Sequence, residues 1–274
     1  MDTDRARCFI TKQGTALEQA EGLWVLDRRP PDPKVVEAFL GRQRPDGGFG
    51  GVGRTITEMV HLEALGLAKS EAFALALGFL LARQEADGGW DERLEEVGPN
   101  APPWEVPGDS NARAYLTAAA TLELAAAGQR LDERAEVAVG RGLDYLLARR
   151  RPDGRFEGFW HTTWLALSAV AARRGPDDLV VEEGLAALIS PALENWEASA
   201  IAWMLHSFRK GRMPADKPPL PSLARRLATL QQPDGSWSSE DGDAYAVFGT
   251  IEALRALRAA VKDLRGSGYG PGQR

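Results

Sequence analysis

The chain has 274 residues, 44% of them hydrophobic and 26% charged, with a formal net charge of −6. That composition belongs to an ordinary globular protein near the upper size limit for one hydrophobic core, which excludes a disordered chain. The acidic balance, with no Lys/Arg-rich stripe, excludes a broad nucleic-acid-binding face.

Taken in chain order, the periodicity of apolar residues predicts helices at 15–27 and 33–42, then 55–68 and 71–84, where Ile56, Met59, Val60 and Leu67 and then Phe73, Leu77 and Leu80 recur at helical spacing. A Pro-rich insertion from Asp91 to Gly108 follows, carrying Trp104 and Glu105, and reads as a lid. Further helices are predicted at 110–127, 132–149, 161–173, 179–190, 197–209, 220–231 and 243–263. Pro and Gly punctuate the boundaries, and no β-alternating run of useful length appears. One domain is expected over 1–265, followed by a flexible Gly-rich tail over 266–274.

A repeat runs through these elements. Gln43-Arg44-Pro45-Asp46-Gly47-Gly48-Phe49, Gln84-Glu85-Ala86-Asp87-Gly88-Gly89-Trp90, Arg150-Arg151-Pro152-Asp153-Gly154-Arg155-Phe156 and Gln231-Gln232-Pro233-Asp234-Gly235-Ser236-Trp237 share one pattern. It is Gln, two residues, Asp-Gly, one residue, then an aromatic, with Arg150 once in place of Gln. Phe49 and Trp90 are 41 residues apart; Trp90 and Phe156 are 66 apart, one period plus an insertion; Phe156 and Trp237 are 81 apart, two periods with Trp196 between. Phe9 lies one period before Phe49 and reads as a degenerate copy. The chain therefore holds about six helix-hairpin units. Asp is suited to cap the turn, Gly to supply positive φ, Gln to reach backbone amides at the next turn and the aromatic to stack between units.

This motif resembles the QW repeat of triterpene (squalene–hopene type) cyclases and protein prenyltransferase β subunits, over roughly residues 5–263. The resemblance implies an all-α fold, an α/α toroid whose inner and outer helical rings surround an apolar pocket for isoprenoid chains. It also implies that the inner-helix N-termini gather at one mouth.

Two segments at that mouth resemble catalytic motifs. Asp241-Gly242-Asp243-Ala244-Tyr245-Ala246 resembles the Asp-x-Asp-Asp-Thr-Ala signature of proton-initiated (class II) terpene cyclases, with Ala244 in place of the fourth Asp and Tyr245 in place of Thr. The resemblance makes Asp243 the acid and Asp241 its partner; the alternative is that both only cap the last helix. Trp160-His161-Thr162-Thr163-Trp164 resembles the zinc-ligand segment of protein prenyltransferases, yet Asp109-Ser110-Asn111 offers no thiolate, so no metal and no cofactor are expected. Trp160, His161, Trp164, Trp196, Tyr115, Tyr245, Phe248, Asp109 and Trp104 are the candidate ligand-contacting residues. Arg113, four residues after Asp109, is expected to pair with it. His61 and His206, within helices among apolar residues, read as packing residues with polar handles. A non-catalytic toroid that binds an apolar ligand or peptide is the competing reading.

The remaining expectations concern setting and partners. One cysteine, Cys8, excludes an intrachain disulfide. The acidic start lacks the apolar run of a signal peptide, and the longest apolar stretches fall short of a membrane span, so a cytoplasmic setting is expected with peripheral membrane contact left open. Six inner helices need six outer partners and the pattern supplies five. A thinly covered seam is therefore expected between the first and last inner helices, lined by Leu17, Leu23, Trp24, Leu254, Leu257 and Val261, with a homodimer across it as the simplest solution.

Overall fold

Thr15 opens one helix through a reciprocal capping box with Glu18, and Asp2, Asp32, Ser70 and Asp109 open others by accepting backbone N–H bonds. The computed structural model describes residues 1–128, 133–189 and 196–266. Its helices are α1 (Thr3–Gln13), α2 (Ala16–Asp27), α3 (Pro33–Leu40), α4 (Val52–Ala64), α5 (Glu71–Arg83), α6 (Leu94–Val97), α7 (Ser110–Ala127), α8 (Glu133–Leu147), α9 (Trp160–Arg174), α10 (Leu179–Ile189), α11 (Ala198–Lys210), α12 (Leu220–Thr229) and α13 (Ala246–Gly266). Among the described residues there is no strand, only an isolated bridge between Arg150 and Phe156. The expected tail beyond Gly266, and the side chain of Val261, lie outside the described residues.

The helices form two rings. Helices α2, α4, α7, α9, α11 and α13 touch in sequence and α13 touches α2, so the inner ring closes. Helices α1, α3, α5, α8, α10 and α12 pack outside it. This is the α/α toroid.

The repeated motif is the joint between neighbouring outer helices. Gln43 Nε2 donates to Gly47 O at 2.8 Å within its own turn and to Ala72 O at 2.8 Å on α5. Gln84 does the same toward Gly88 O at 3.0 Å and Ala138 O at 2.8 Å on α8. The side-chain NH2 has two hydrogens, and each finds a carbonyl; the Gln therefore serves carbonyls rather than the backbone amides the sequence suggested. Arg150 makes the equivalent reach with charge, to the Glu183 carboxylate on α10 at 2.5 Å. In all four copies the Asp carboxylate accepts the N–H two residues on at 3.0 Å. Gly47, Gly88, Gly154 and Gly235 take positive φ, and a Cβ on any of them would strike backbone of the next outer helix.

A second element of the motif was not legible. The aromatic N–H donates to a buried threonine of the following inner helix in every copy: Phe49 to Thr55 and Trp90 to Thr117 at 3.0 Å, Phe156 to Thr163 and Trp237 to Thr250 at 3.1 Å. Where the aromatic is Trp, its Nε1 also donates to a carbonyl on the last turn of the preceding outer helix, Leu80 O at 2.7 Å or Leu227 O at 2.8 Å. Burying each indole contributes roughly 4–6 kcal/mol of apolar transfer.

The ring needs no seam. The sixth outer helix is α1, which the sequence reading missed, and Phe9 lies inside it rather than in a degenerate turn. Its Ala6 and Ile10 are buried, and it packs on α2 and α13. Leu254 and Leu257 are buried, and Trp24 packs against Gly66. With α1 in the sixth outer position the expected open seam is filled, while Leu17, Leu23 and Trp24 stay half-buried. Among the described residues no helix is long and apolar enough to cross a membrane.

Candidate functional site

Each inner helix from α4 onward begins after a motif or its degenerate copy, so their N-termini converge on one rim. The insertion sits there. Asp91 accepts the Gly108 N–H at 3.1 Å, closing the base of the loop, and Arg83 holds Glu96 with two bonds of 2.6 and 2.8 Å. Glu92 is buried and its carboxylate accepts Val52 N–H at 2.8 Å and Gly53 N–H at 2.6 Å, occupying the N-terminus of α4. Burial pushes the Glu92 carboxyl up, against the pull of those two N–H groups. Glu105, on a short 3-10 turn, lies against Gly53; burial and the nearby Glu92 carboxylate push it up as well.

Beneath the rim is an aromatic cluster. His161 has its ring centroid 4.7 Å from Trp164, 4.9 Å from Trp203 and 6.4 Å from Tyr115. Trp196 bridges Trp164 at 5.4 Å and Trp160 at 5.8 Å. Tyr115 also meets Phe159 and Trp203. Burial pushes the Tyr115 phenol well up, helped by the carboxylates of Glu105 and Asp241. Trp164 is buried with its Nε1–H unpartnered.

The sequence-derived candidates do not all come together. Tyr115, His161, Trp164 and Trp196 come together in the cluster, with Trp160 at its exposed edge. Asp241, Asp243 and Tyr245 are exposed on the segment before α13, and neither Asp caps a helix there. Burial and Glu240 push the Asp241 carboxyl up, while His161 pulls it down. His161 Nε2 lies 3.2 Å from Glu240. Asp109 is the N-cap of α7, accepting Asn111 and Ala112 N–H at 2.9 Å. Arg113 does not pair with it; the guanidinium turns to Glu85 and Asp87 on the preceding motif, because the cap already holds the Asp109 carboxylate. Trp104 is exposed on the insertion. Phe248 is half-buried, 5.4 Å from the His61 ring.

Positions that keep some accessible surface recur at three- and four-residue spacing on two inner helices, Ile56, Val60 and Glu63 on α4 and Trp203, His206 and Lys210 on α11, and two turns apart on α13, at Phe248 and Arg255. We read these half-buried stripes as the lining of the ring's interior. They are apolar near the rim and charged toward the helix C-termini. There Glu63 bridges Lys210 at 2.9 Å, Arg255 at 3.0 Å and His206 at 3.2 Å, while Lys210 also meets Glu123 at 2.6 Å and Arg255 meets Glu252 at 2.5 Å. Burial works against the Glu63 anion, but Lys210, His206 and Arg255 outweigh it and hold the carboxyl well below the usual range. Burial and Arg255 keep the His206 imidazole below its ordinary value. The hollow thus has an aromatic upper part and an ionic floor. His61 and His206 pack as the sequence suggested, and the polar handle of each meets a glutamate, Glu21 for His61 and Glu63 for His206. Among the described residues no three His, Cys, Asp or Glu side chains form a group that could hold a metal ion.

Solved structures share this architecture. A type II terpene cyclase from Scytonema, MstE, aligns at 19% identity over 91% of this chain and 88% of its own, with a TM-score of 0.57. A variant of the same cyclase in complex with merosterolic acid A aligns at 17% identity over 96% of each chain, TM-score 0.58. A protein from Actinoplanes aligns at 19% identity over 94% of this chain and 98% of its own, TM-score 0.60. At those identities the likeness is one of fold. No curated protein sequence matches the chain. The squalene-hopene cyclase C-terminal domain family matches residues 17–166, which take in α2 to α8, the insertion, the first three clear motif copies and the start of α9, and the chain belongs to that family.

Proposed function

We propose that this domain takes an isoprenoid or similarly apolar chain into the hollow and cyclises it by protonation, as a type II terpene cyclase does. The observation that carries the reading is the cluster of Tyr115, His161, Trp164, Trp196 and Trp203 under the rim. Aromatic faces stabilise a carbocation, and a walled hollow excludes the water that would quench it. The Scytonema cyclase supports the ligand class: one of its solved variants holds geranylgeranyl dihydroxybenzoate as substrate, and another holds a product. In this reading Asp243 is the acid and Asp241 its partner.

A second reading, a toroid that binds an apolar ligand without converting it, is favoured by one observation. Asp243 is exposed, whereas a carboxyl that protonates an alkene needs burial to keep its proton. Incubation with geranylgeraniol and with geranylgeranyl dihydroxybenzoate, read by product mass spectrometry and tryptophan fluorescence, separates the two. The cyclase reading expects cyclised product that Asp243→Asn abolishes at nearly unchanged thermal midpoint. Full turnover in that variant removes Asp243 as the acid. Fluorescence quenching with no product from the wild type selects the binding reading.

A further inference from the structure

The ionisable pair that no motif pointed to is Glu21 on α2 and His61 on α4. The two oxygens of the Glu21 carboxyl are fully buried, one 2.6 Å from His61 Nδ1 and the other without a partner. The imidazole lies between Phe39 on α3 and Phe248 on α13, at centroid distances of 6.1 and 5.4 Å. Phe248 belongs to the half-buried stripe of α13, so the partly accessible imidazole stands at the edge of the ring's interior, with buried Glu21 and Phe39 behind it. The second ring nitrogen, Nε2, takes no hydrogen-bond partner among the described residues, and the side chain keeps 17% of its surface accessible.

We infer that His61, oriented by Glu21, is a proton-donating subsite in the wall of the hollow, and that its Nε2–H takes an oxygen acceptor on the isoprenoid ligand, a terminal epoxide above all. The inference rests on the hollow being the ligand site. The argument is one of proton counting. When the pair holds one proton, that proton lies between Glu21 and Nδ1, whichever of the two owns it. In both arrangements Nε2 carries its own hydrogen. The surroundings favour that singly protonated pair: burial pushes the Glu21 carboxyl up, and Glu21 with Glu58 and Glu252 raises the imidazole against its own burial. The charged groups around the pair are Glu58 on the same helix, and Glu252 and Arg255 on α13. For an epoxide this subsite stands in place of Asp243 as the acid, since that exposed carboxyl has no comparable enclosure; for an alkene terminus Asp243 keeps the role proposed above.

With an epoxide bound, the step balances within the molecule. The Nε2–H proton passes to the epoxide oxygen, and the bond from that oxygen to the more substituted carbon breaks with its electron pair moving to oxygen. The oxygen becomes a hydroxyl, and the carbocation left behind faces Phe248. Glu21 stabilises the imidazolium before transfer and holds the neutral ring in its Nδ1–H tautomer afterwards. That makes it a positioning residue, as the buried carboxylate is in a Ser-His-Asp triad.

The test compares geranylgeraniol with its terminal epoxide in direct binding to the full chain, by calorimetry across pH. The wild type should prefer the epoxide by about tenfold, the discrimination a single hydrogen bond gives. His61→Phe should bind both ligands equally, at the affinity the wild type has for geranylgeraniol. Glu21→Gln can still accept the Nδ1–H bond but carries no charge, so the pH above which the preference disappears should move downward; a merely structural role for Glu21 would not move it. A His61→Phe variant that keeps the epoxide preference overturns the inference. So does a Glu21→Gln variant with an unshifted pH profile. Because the readout is binding, it does not depend on turnover; failure of both ligands to bind would instead remove the hollow as the ligand site, and this subsite with it.

Discussion

The side-chain amide of Gln231 donates to the backbone carbonyl of Asp2 at 2.8 Å, a hydrogen bond spanning 229 residues. Its carbonyl oxygen accepts the Asp2 N–H at 2.6 Å in return, and Arg5 reaches the Pro233 carbonyl from the other side. The last motif thus grips the first outer helix as Gln43 grips α5 and Gln84 grips α8. Gln231→Ala removes these bonds and should cost about 1–3 kcal/mol. Urea unfolding reads the loss, and limited proteolysis should cut first between α1 and α2. A variant with wild-type stability would mean that the contacts of Ala6 and Ile10 alone hold α1.

Trp90 and Trp237 differ from Phe49 and Phe156 by one hydrogen bond to the preceding outer helix. Trp90→Phe and Trp237→Phe should each cost about 2–4 kcal/mol, the lost bond plus the cavity left by the larger ring. Combining them should give nearly additive losses, because the two indoles sit in separate units. Calorimetric unfolding of the two single variants and the double variant checks both statements.

The ionic floor makes stability depend on pH with a definite sign. The folded His206 value lies below its ordinary 6.5, so the unfolded chain binds the proton more readily, and stability falls as pH drops below 6.5. Glu63 is held below its ordinary 4.5, so its contribution is present above that pH and lost as pH falls through the folded value. His61 works the other way: its value is raised, so its contribution is complete below 6.5 and fades as pH rises through the folded value. His206→Asn should therefore lose less stability than the wild type between pH 7 and pH 5. Glu63→Gln leaves Lys210 and Arg255 short of a counter-charge and should cost about 3–5 kcal/mol at neutral pH. Denaturant melts at stepped pH values measure both.

The rim should reject diphosphates. Glu92 already fills the N-terminus of α4 and Asp109 that of α7, the positions where a phosphate would otherwise bind. Glu105, Glu240 and Asp241 add negative charge beside Tyr115 and His161. Geranylgeraniol should bind at least about tenfold more tightly than geranylgeranyl diphosphate. Glu105→Gln should narrow that gap. Equal affinities would mean that the polar end of the ligand does not stop at this rim.

Much of the architecture was readable because the repeat is carried by local chemistry. Asp-Gly turns and apolar stripes of period near 3.6 place eleven of the ring helices within a few residues of their observed limits. Helix α1 escaped because Phe9 was counted as a turn aromatic, which left too few residues before it for a helix; the Asp2 cap and the buried pair Ala6 and Ile10 were the signals to read. The threonines that anchor each aromatic were hidden by loop length, since 6 residues separate Phe49 from Thr55 but 27 separate Trp90 from Thr117. The floor was hidden for another reason. Glu63, Glu123, Lys210 and Arg255 each look like a solvent-facing charge on an amphipathic helix, and only closure of the ring turns them toward one another. At the rim the aromatics at helix starts were legible, while His61, Phe159 and Glu92 were found only through their neighbours.

The joint between Gln231 and Asp2 also sets a schedule for folding. Neighbouring hairpins close over short stretches of chain and can form as synthesis proceeds, at little loop-closure cost. Helix α1 can pair with α2 at once, but its docking is complete only when α12, its motif and α13 exist. Until then the newborn ring is a C-shaped arc with α2 and α1 bare on one side, and the inner face that later encloses the ligand lies open to chaperones and to other nascent copies. A lesion in either terminal segment therefore acts as a failure to latch, felt where α1, α2, α12 and α13 meet.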